Sequence, residues 1–241
     1  HRFVNNKVDL ICAIATPAAQ TVANVTSDIP IVATAVTDYK TAKLVKDDAK
    51  PGTNVTGTTD MNPVAEQLDL LLKLVPNAKT IGTIYCSSEV NSQLQVELLK
   101  KAAAAKGITV KEATVSTVND IQQAARSLAG DVQAVYVPTD NVLASAIPTL
   151  ISVTEEAKLP VICAEGGMVR AGGLATLGVD YYKLGFQTGV MAADILSGKA
   201  KPADMAIQAQ KEFKPTINLK EAAKIGLTVP EDLLKGAEVI K

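Results

Sequence analysis

The sequence has 241 residues, 47% of them hydrophobic and 20% charged. That is enough for two α/β lobes whose apolar cores need neither disulfides nor metals. Its 24 basic and 25 acidic side chains leave a net charge of −1, and no basic cluster with interleaved aromatics occurs, which excludes charge-driven partnership with nucleic acid or an anionic membrane surface. The only histidine is His1, which removes imidazole acid–base chemistry, Ser-His-Asp triads and most zinc sites.

Short β-branched runs alternate with amphipathic segments. The runs 8–15, 30–36, 80–86, 108–115, 132–137, 160–164 and 174–179 read as strands. The segments 17–27, 39–46, 63–75, 89–106, 119–129, 141–157, 182–197 and 220–225 read as helices. Alternation of this kind, with near-continuous apolar strands, predicts parallel sheets covered on both faces. In 63–75 the residues Val64, Leu68, Leu71, Leu72 and Val75 recur at helical spacing; Asn62 is the expected N-cap, Pro63 opens the helix and Pro76 stops it. No apolar run reaches the roughly 18–20 residues of a membrane span. Cys12 and Cys163 lie inside apolar runs, where cysteine behaves as a small buried hydrophobe, and Cys86 closes a strand.

The chain repeats itself. KVDLICAIATPAA (7–19) parallels DVQAVYVPTDNVLA (131–144), and IPIVATAV (29–36) parallels LPVICAEG (159–166). Two copies of one plan predict two similar doubly wound parallel-sheet lobes. We expect residues 1–55 with 181–205 in the first lobe, and 56–180 with 206–241 in the second. The segment 50–63, the neighbourhood of Asp180 and the stretch 205–216 are the expected crossings of a hinge that closes on a ligand. Two strands precede 132–137 in the second copy, but only seven residues precede 8–15 in the first. The first lobe is therefore expected to be incomplete in this chain, with an open position beside its first strand.

No GxGxxG or GxxxxGK[ST] pattern is present, so no nucleotide cofactor is expected, nor a metal. The informative positions are the strand ends, because ligands of parallel α/β sheets bind outside the carboxyl ends of strands, next to helix N-termini. Thr16 and Thr37 suit a ligand carboxylate; Thr16 serves equally as a helix cap, and both roles can hold at once. Ser87 and Ser88 precede a helix, one as its cap, the other with Asn91 as a ligand donor. Without a histidine neither is a nucleophile. Thr139, Asp140 and Asn141 form the densest polar group. Asp140 or Glu165 would meet a ligand ammonium, against the alternatives of a cap and an exposed turn. Gly166 and Gly167 would let backbone approach a ligand. Asp180 lines the expected hinge or caps 182–197, and Asp60 is a weaker candidate. A carboxylate site in one lobe and an ammonium site in the other describe an α-amino acid.

The run VDLICAIATPAAQ, the stretch GTTDMNPVAEQLDLLLKLVPNAKTIGTIYCSSEVNS, VYVPTDNVLAS and GGLATLGVDYYKLGFQTGVMAADILSGKAKPADM together resemble the ABC transporter substrate-binding family that includes the tryptophan- and tyrosine-binding TrpX-type proteins. The resemblance implies a type I periplasmic-binding-protein fold and a non-enzymatic, extracytoplasmic protein. It also implies permease and ATPase partners, contact with the membrane only through them or a lipid anchor, and an amino acid, often aromatic, as ligand. It places Thr16, Thr37, Ser87, Ser88, Asn91, Thr139, Asp140, Asn141 and Glu165 at pocket positions. It also implies a strand–helix–strand ahead of FVNNKVDL. Other readings of the same fold are the ligand-sensing core of a regulator, a sugar or nucleoside as solute, and a carboxylate-based α/β enzyme.

Overall fold

The computed structural model describes residues 1–241. In chain order the elements are α1 (Arg2–Asn5), β1 (Ile11–Ile14), α2 (Thr16–Ala23), β2 (Ile31–Val36), β3 (Val55–Thr59), α3 (Val64–Leu74), β4 (Thr80–Cys86), α4 (Val90–Ala105), β5 (Thr109–Val115), α5 (Ile121–Ala129) and β6 (Val135–Val137). There follow α6 (Asn141–Ser145), α7 (Ile147–Glu156), β7 (Val161–Cys163), α8 (Gly166–Arg170), β8 (Ala175–Gly178), α9 (Tyr181–Leu196), β9 (Gln208–Ala209), β10 (Lys214–Asn218), α10 (Leu219–Ile225), α11 (Glu231–Leu234) and β11 (Glu238–Ile240). None of the helices is long and apolar enough to cross a membrane. The chain divides into two compact units, His1–Met61 with Val179–Glu212, and Asn62–Gly178 with Phe213–Lys241.

The first unit holds a four-stranded sheet in the order β1-β2-β3-β9, parallel throughout. Val55–Thr59, expected at a crossing, is an internal strand of this sheet. Helix α9 covers one face: Val32 of β2 packs with Met191, Ala192 and Ile195. Strand β1 is at the sheet edge, and Cys12, level with Val32 in the register, lies on this same face but exposed. The expectation of a buried Cys12 fails because nothing covers the outer strand there; Cys86 and Cys163 are buried. Helix α9 itself buries Leu184, Thr188, Met191 and Ile195. On its opposite side it exposes Tyr182, Phe186 and Val190 at four-residue spacing, an uninterrupted apolar stripe.

Residues 39–46 form turns rather than the expected helix. Asp38 Oδ1 accepts from the Thr41 N–H at 2.6 Å, and Lys43 has φ 58°. Tyr39 is buried, its hydroxyl 2.9 Å from the Ala33 carbonyl and 3.0 Å from that of Thr58. This clasp spans a bulge in β2, where the register shifts between Ala33 and Val36 and Ala35 has φ 53°. Gly57 makes the clasp possible. Its φ is 151°, and a Cβ there would run into the Ala33 carbonyl and the Tyr39 hydroxyl.

The second unit holds a seven-stranded sheet in the order β11-β10-β8-β7-β6-β4-β5. Only the β8–β10 pairing is antiparallel. Its central strands are buried on both faces. Val135 and Val137 pack in one apolar cluster and Ala134 and Tyr136 in another; Val161 and Cys163 divide from Ile162 in the same way. From β4 the chain crosses to β5 on one side and returns to β6 on the other, so the strand order reverses between β4 and β6. Crevices outside such a reversal are where open α/β sheets bind ligands.

Helix α3 buries Val64, Leu68, Leu70, Leu71 and Leu74 as its spacing predicts. Its N-cap is Pro63 rather than Asn62, because the Asn62 amide is drawn away to Thr139. The expected helix 141–157 is two helices, broken at Ala146 (φ −138°) with Pro148 in the first turn of α7. Proline lacks the N–H that would continue the preceding turn.

Candidate functional site

In the first unit, β1 runs into α2 through Ala15, whose φ is 75°. Thr16 opens the helix and Pro17 stands in its first turn, where a missing N–H costs nothing. Thr16 is 2% exposed, and its Oγ1 has no hydrogen-bond partner. A buried hydroxyl without a partner is expensive, and this one lies at a helix N-terminus, where backbone N–H groups and the helix dipole favour an anion. Thr37, after β2, uses its hydroxyl differently: Oγ1 donates to Asp60 Oδ1 at 3.0 Å. Tyr181 donates to Asp60 Oδ2 at 2.7 Å, and the Thr59 hydroxyl donates to the Thr37 carbonyl at 2.7 Å. Asp60 is fully buried. Burial, and then the Asp60 charge, hold the Tyr39 hydroxyl well above its ordinary pKa, so it remains a donor. Asp180 caps α9, accepting from the N–H groups of Tyr182 at 3.0 Å and Lys183 at 3.2 Å.

In the second unit the polar residues gather at the β4/β6 reversal. Gln95, fully buried in α4, grips Thr139 twice: its Oε1 accepts from the Thr139 N–H at 2.9 Å, and its Nε2 donates to Thr139 Oγ1 at 3.0 Å. Asn62 Nδ2 donates to the same hydroxyl at 3.2 Å, and Asn91 Nδ2 donates to the Thr139 carbonyl at 2.8 Å. The turn after β6 is thus held by three amide side chains.

Asp140 is 1% exposed. Its Oδ1 accepts from the Leu143 N–H at 2.9 Å, capping α6, and its Oδ2 accepts from the Cys86 N–H at 2.6 Å. Ser92 Oγ lies 2.7 Å from the same Oδ2. Burial raises the Asp140 carboxyl above its ordinary range, with the nearby Glu89 charge in the same direction; the Leu143 and Cys86 N–H groups and the Ser92 hydroxyl oppose it. Asp140 therefore ties the ends of β4 and β6 together through donors of its own unit.

Glu89 is absent from the sequence-based candidates. It is the N-cap residue of α4 in place of Ser87 or Ser88, which are exposed. It is 5% exposed. Its Oε1 accepts from the Asn141 N–H at 3.1 Å; its Oε2 accepts from Asn141 Nδ2 at 2.7 Å and Asn91 Nδ2 at 3.0 Å. Asn91 Oδ1 is buried without a partner. A carboxylate directly after two serines at a strand end was the available signal, hidden by the stronger capping preference of serine. Glu165 stands apart from this group: it caps α8, accepting from the Gly167 and Met168 N–H groups. A Cβ at Gly167 would meet that carboxylate, so this glycine makes room for the cap.

Each unit thus carries a polar cluster at the carboxyl ends of its parallel strands, one with an orphan hydroxyl and one with buried carboxylates, on an α/β frame. The chain belongs to the ABC transporter substrate binding protein family, whose profile spans residues 1–241. It is 45% identical over 217 residues to a tyrosine-binding protein of Clostridioides difficile, covering 90% of this chain and 63% of that one. It thus spans under two thirds of that relative's length. It superposes on the structure of an ABC domain in complex with L-Trp from Streptococcus pneumonia with a TM-score of 0.95 at 43% identity, covering 100% of this chain and 81% of that one. The ligand-free, open structure of a substrate binding protein with adhesive properties from Clostridium difficile matches with a TM-score of 0.74 at 43% identity, over 100% and 80% of the two chains. The fold is that of type I periplasmic binding proteins.

Proposed function

We propose that this chain is the ligand-binding part of an extracytoplasmic solute-binding protein that delivers an amino acid, aromatic by preference, to the permease and ATPase of an ABC importer, without catalysing a reaction. The observation that carries the reading is Thr16. A buried hydroxyl lacking a partner, at the N-terminus of an eight-residue helix, is ready for a carboxylate. The tyrosine and L-Trp named for the two relatives support an aromatic amino acid. Thr37 takes a supporting place, since its hydroxyl is committed to Asp60.

The test is a thermal-shift screen of the full-length protein against the twenty amino acids, several sugars and nucleosides. A ligand at 100 times its Kd adds about 2.7 kcal/mol, or roughly 5–11 °C for a chain of this size. Tyrosine or tryptophan is expected to give the largest shift. A shift with sugars or nucleosides alone rejects the amino-acid reading. Thr16→Val, which keeps the shape and removes the hydroxyl, is expected to weaken binding about tenfold while the unliganded Tm holds or rises, because an unsatisfied buried group is gone.

A further inference from the structure

We propose that Glu89, with Asn91, is the acceptor of the ligand's primary ammonium in the second unit, and that this pair selects amines over the corresponding des-amino acids; the inference rests on the amino-acid reading above. Four observations lead to it. First, both residues follow β4 at the point where the strand order reverses, the place this topology opens to a ligand. Secondly, Glu89 is a buried carboxylate met only by neutral donors, the backbone and side-chain amides of Asn141 and the side-chain amide of Asn91. The chain's ion pairs all involve other carboxylates.

Thirdly, Asn91 is 4% exposed, and its Nδ2 is fixed between Glu89 Oε2 at 3.0 Å and the Thr139 carbonyl at 2.8 Å. The amide cannot be turned over without losing both bonds, so the buried atom without a partner is an acceptor, Oδ1. Fourthly, the neighbouring carboxylate, Asp140, is committed to the backbone N–H groups of Cys86 and Leu143, capping α6 and tying β4 to β6, whereas Glu89 makes no cap bond to its own helix and is the more exposed of the two.

What is missing from this group is positive charge together with N–H donors. A water would satisfy Asn91 Oδ1 but leave two buried carboxylates without a counter-ion. A sugar hydroxyl shares that deficiency. A calcium ion demands six to eight oxygen ligands, more than Glu89 and Asn91 offer. A primary ammonium supplies one charge and three donors on a compact head. Asn141 and Asn91 hold the carboxylate in place beforehand, so little ordering remains when the ligand arrives.

The experiment is calorimetric titration of the full-length protein, wild type, Glu89→Gln and Asn91→Ala, with L-tyrosine and L-tryptophan. Their des-amino counterparts, 3-(4-hydroxyphenyl)propionate and 3-(indol-3-yl)propionate, are titrated in parallel by ligand-observed NMR. Removing one partner of a buried charge pair weakens amino-acid binding about 100-fold or more, and Asn91→Ala weakens it about tenfold. The des-amino acids, weak for the wild type, are expected to change less than twofold in both variants. Wild-type affinity for amino acids in Glu89→Gln overturns the inference and leaves the amino-acid reading standing; so does an equal loss for both ligand classes, which would mark Glu89 as structural. A wild type that binds no amino acid removes the reading and the inference together. If Glu89→Gln does not fold, Glu89→Asp and Asn91→Ala decide: unchanged discrimination between amine and des-amino ligand in both overturns the assignment.

Discussion

Replacing Asp140 by alanine separates a residue that builds the site from one that touches the ligand. The carboxylate accepts from two buried backbone N–H groups, Cys86 at the end of β4 and Leu143 in the first turn of α6. Ser92 keeps the Thr139 carbonyl, 3.1 Å away, as a second partner. The loss is therefore two buried N–H groups at about 1–3 kcal/mol each, centred near 4 kcal/mol in total. Removing a carboxylate whose charge is disfavoured by burial and by Glu89 returns part of this, so the expected net loss is about 2–4 kcal/mol. At about 2–4 °C per kcal/mol for a chain of this length, the unfolding midpoint falls by roughly 4–16 °C. Differential scanning calorimetry reads the midpoint, and titration of the folded variant with L-tyrosine reads affinity, which is expected to fall less than tenfold. An unchanged midpoint with binding abolished would refute the reasoning and return the ammonium to Asp140.

Three further substitutions probe the two units. Gly57→Ala forces a Cβ into the Ala33 carbonyl at a φ of 151° and is expected to cost about 4 kcal/mol or more; a cooperative first-unit transition at the wild-type temperature would contradict the clasp described for Tyr39. Glu221 is buried, and its carboxyl is pushed up to about 7 by burial, then by its hydrogen bond to Glu155 and the charge there, against the attraction of Lys224. The native state therefore keeps a proton that the unfolded chain has already released. This contribution to stability is complete below the unfolded pKa of 4.5 and disappears as pH rises through about 7. Urea midpoints between pH 5 and 8 are expected to decline, and Glu221→Gln is expected to flatten the decline; an equally steep decline in the variant would exclude Glu221 as its source. Phe186, 70% exposed on α9, can become serine with a change within about 0.5 kcal/mol and a lower binding of hydrophobic dye. A large loss of stability would show that the stripe is packed in solution.

The fold was legible where strands are buried on both faces. The run 80–86 matches β4 residue for residue, and 30–36 differs from β2 by one residue, because β-branched side chains packed above and below leave no other period. Legibility fails where tertiary hydrogen bonds outrank local pattern. Residues 39–46 have helical spacing, but the Tyr39 hydroxyl bridges two carbonyls and Asp38 closes a turn. Asn62 looks like a cap, yet its amide serves Thr139 across 77 positions of sequence.

The site is harder to read for a physical reason rather than for lack of signal. Helix caps and ligand-binding residues are the same residue types at the same strand ends, since both satisfy the free N–H groups of a helix N-terminus. Glu165 and Asp180 sit in candidate positions and act as caps, while Asp140 is a cap that also bonds across strands. Glu89 occupies an N-cap position with no side-chain cap bond and lies beside an acceptor without a donor. What separates the two classes is whether the side chain's polar atoms are already matched by the rest of the protein. A residue with all its partners inside the unit has spent its bonding on the fold. One left with an unmatched buried atom carries a desolvation cost that only a ligand or water relieves. Five side chains carry such an atom, Thr16, Asp48, Thr83, Asn91 and Thr176; of these only Thr16 and Asn91 stand in the first turn of a helix that follows a strand end, α2 and α4, where a ligand of a parallel α/β sheet is met.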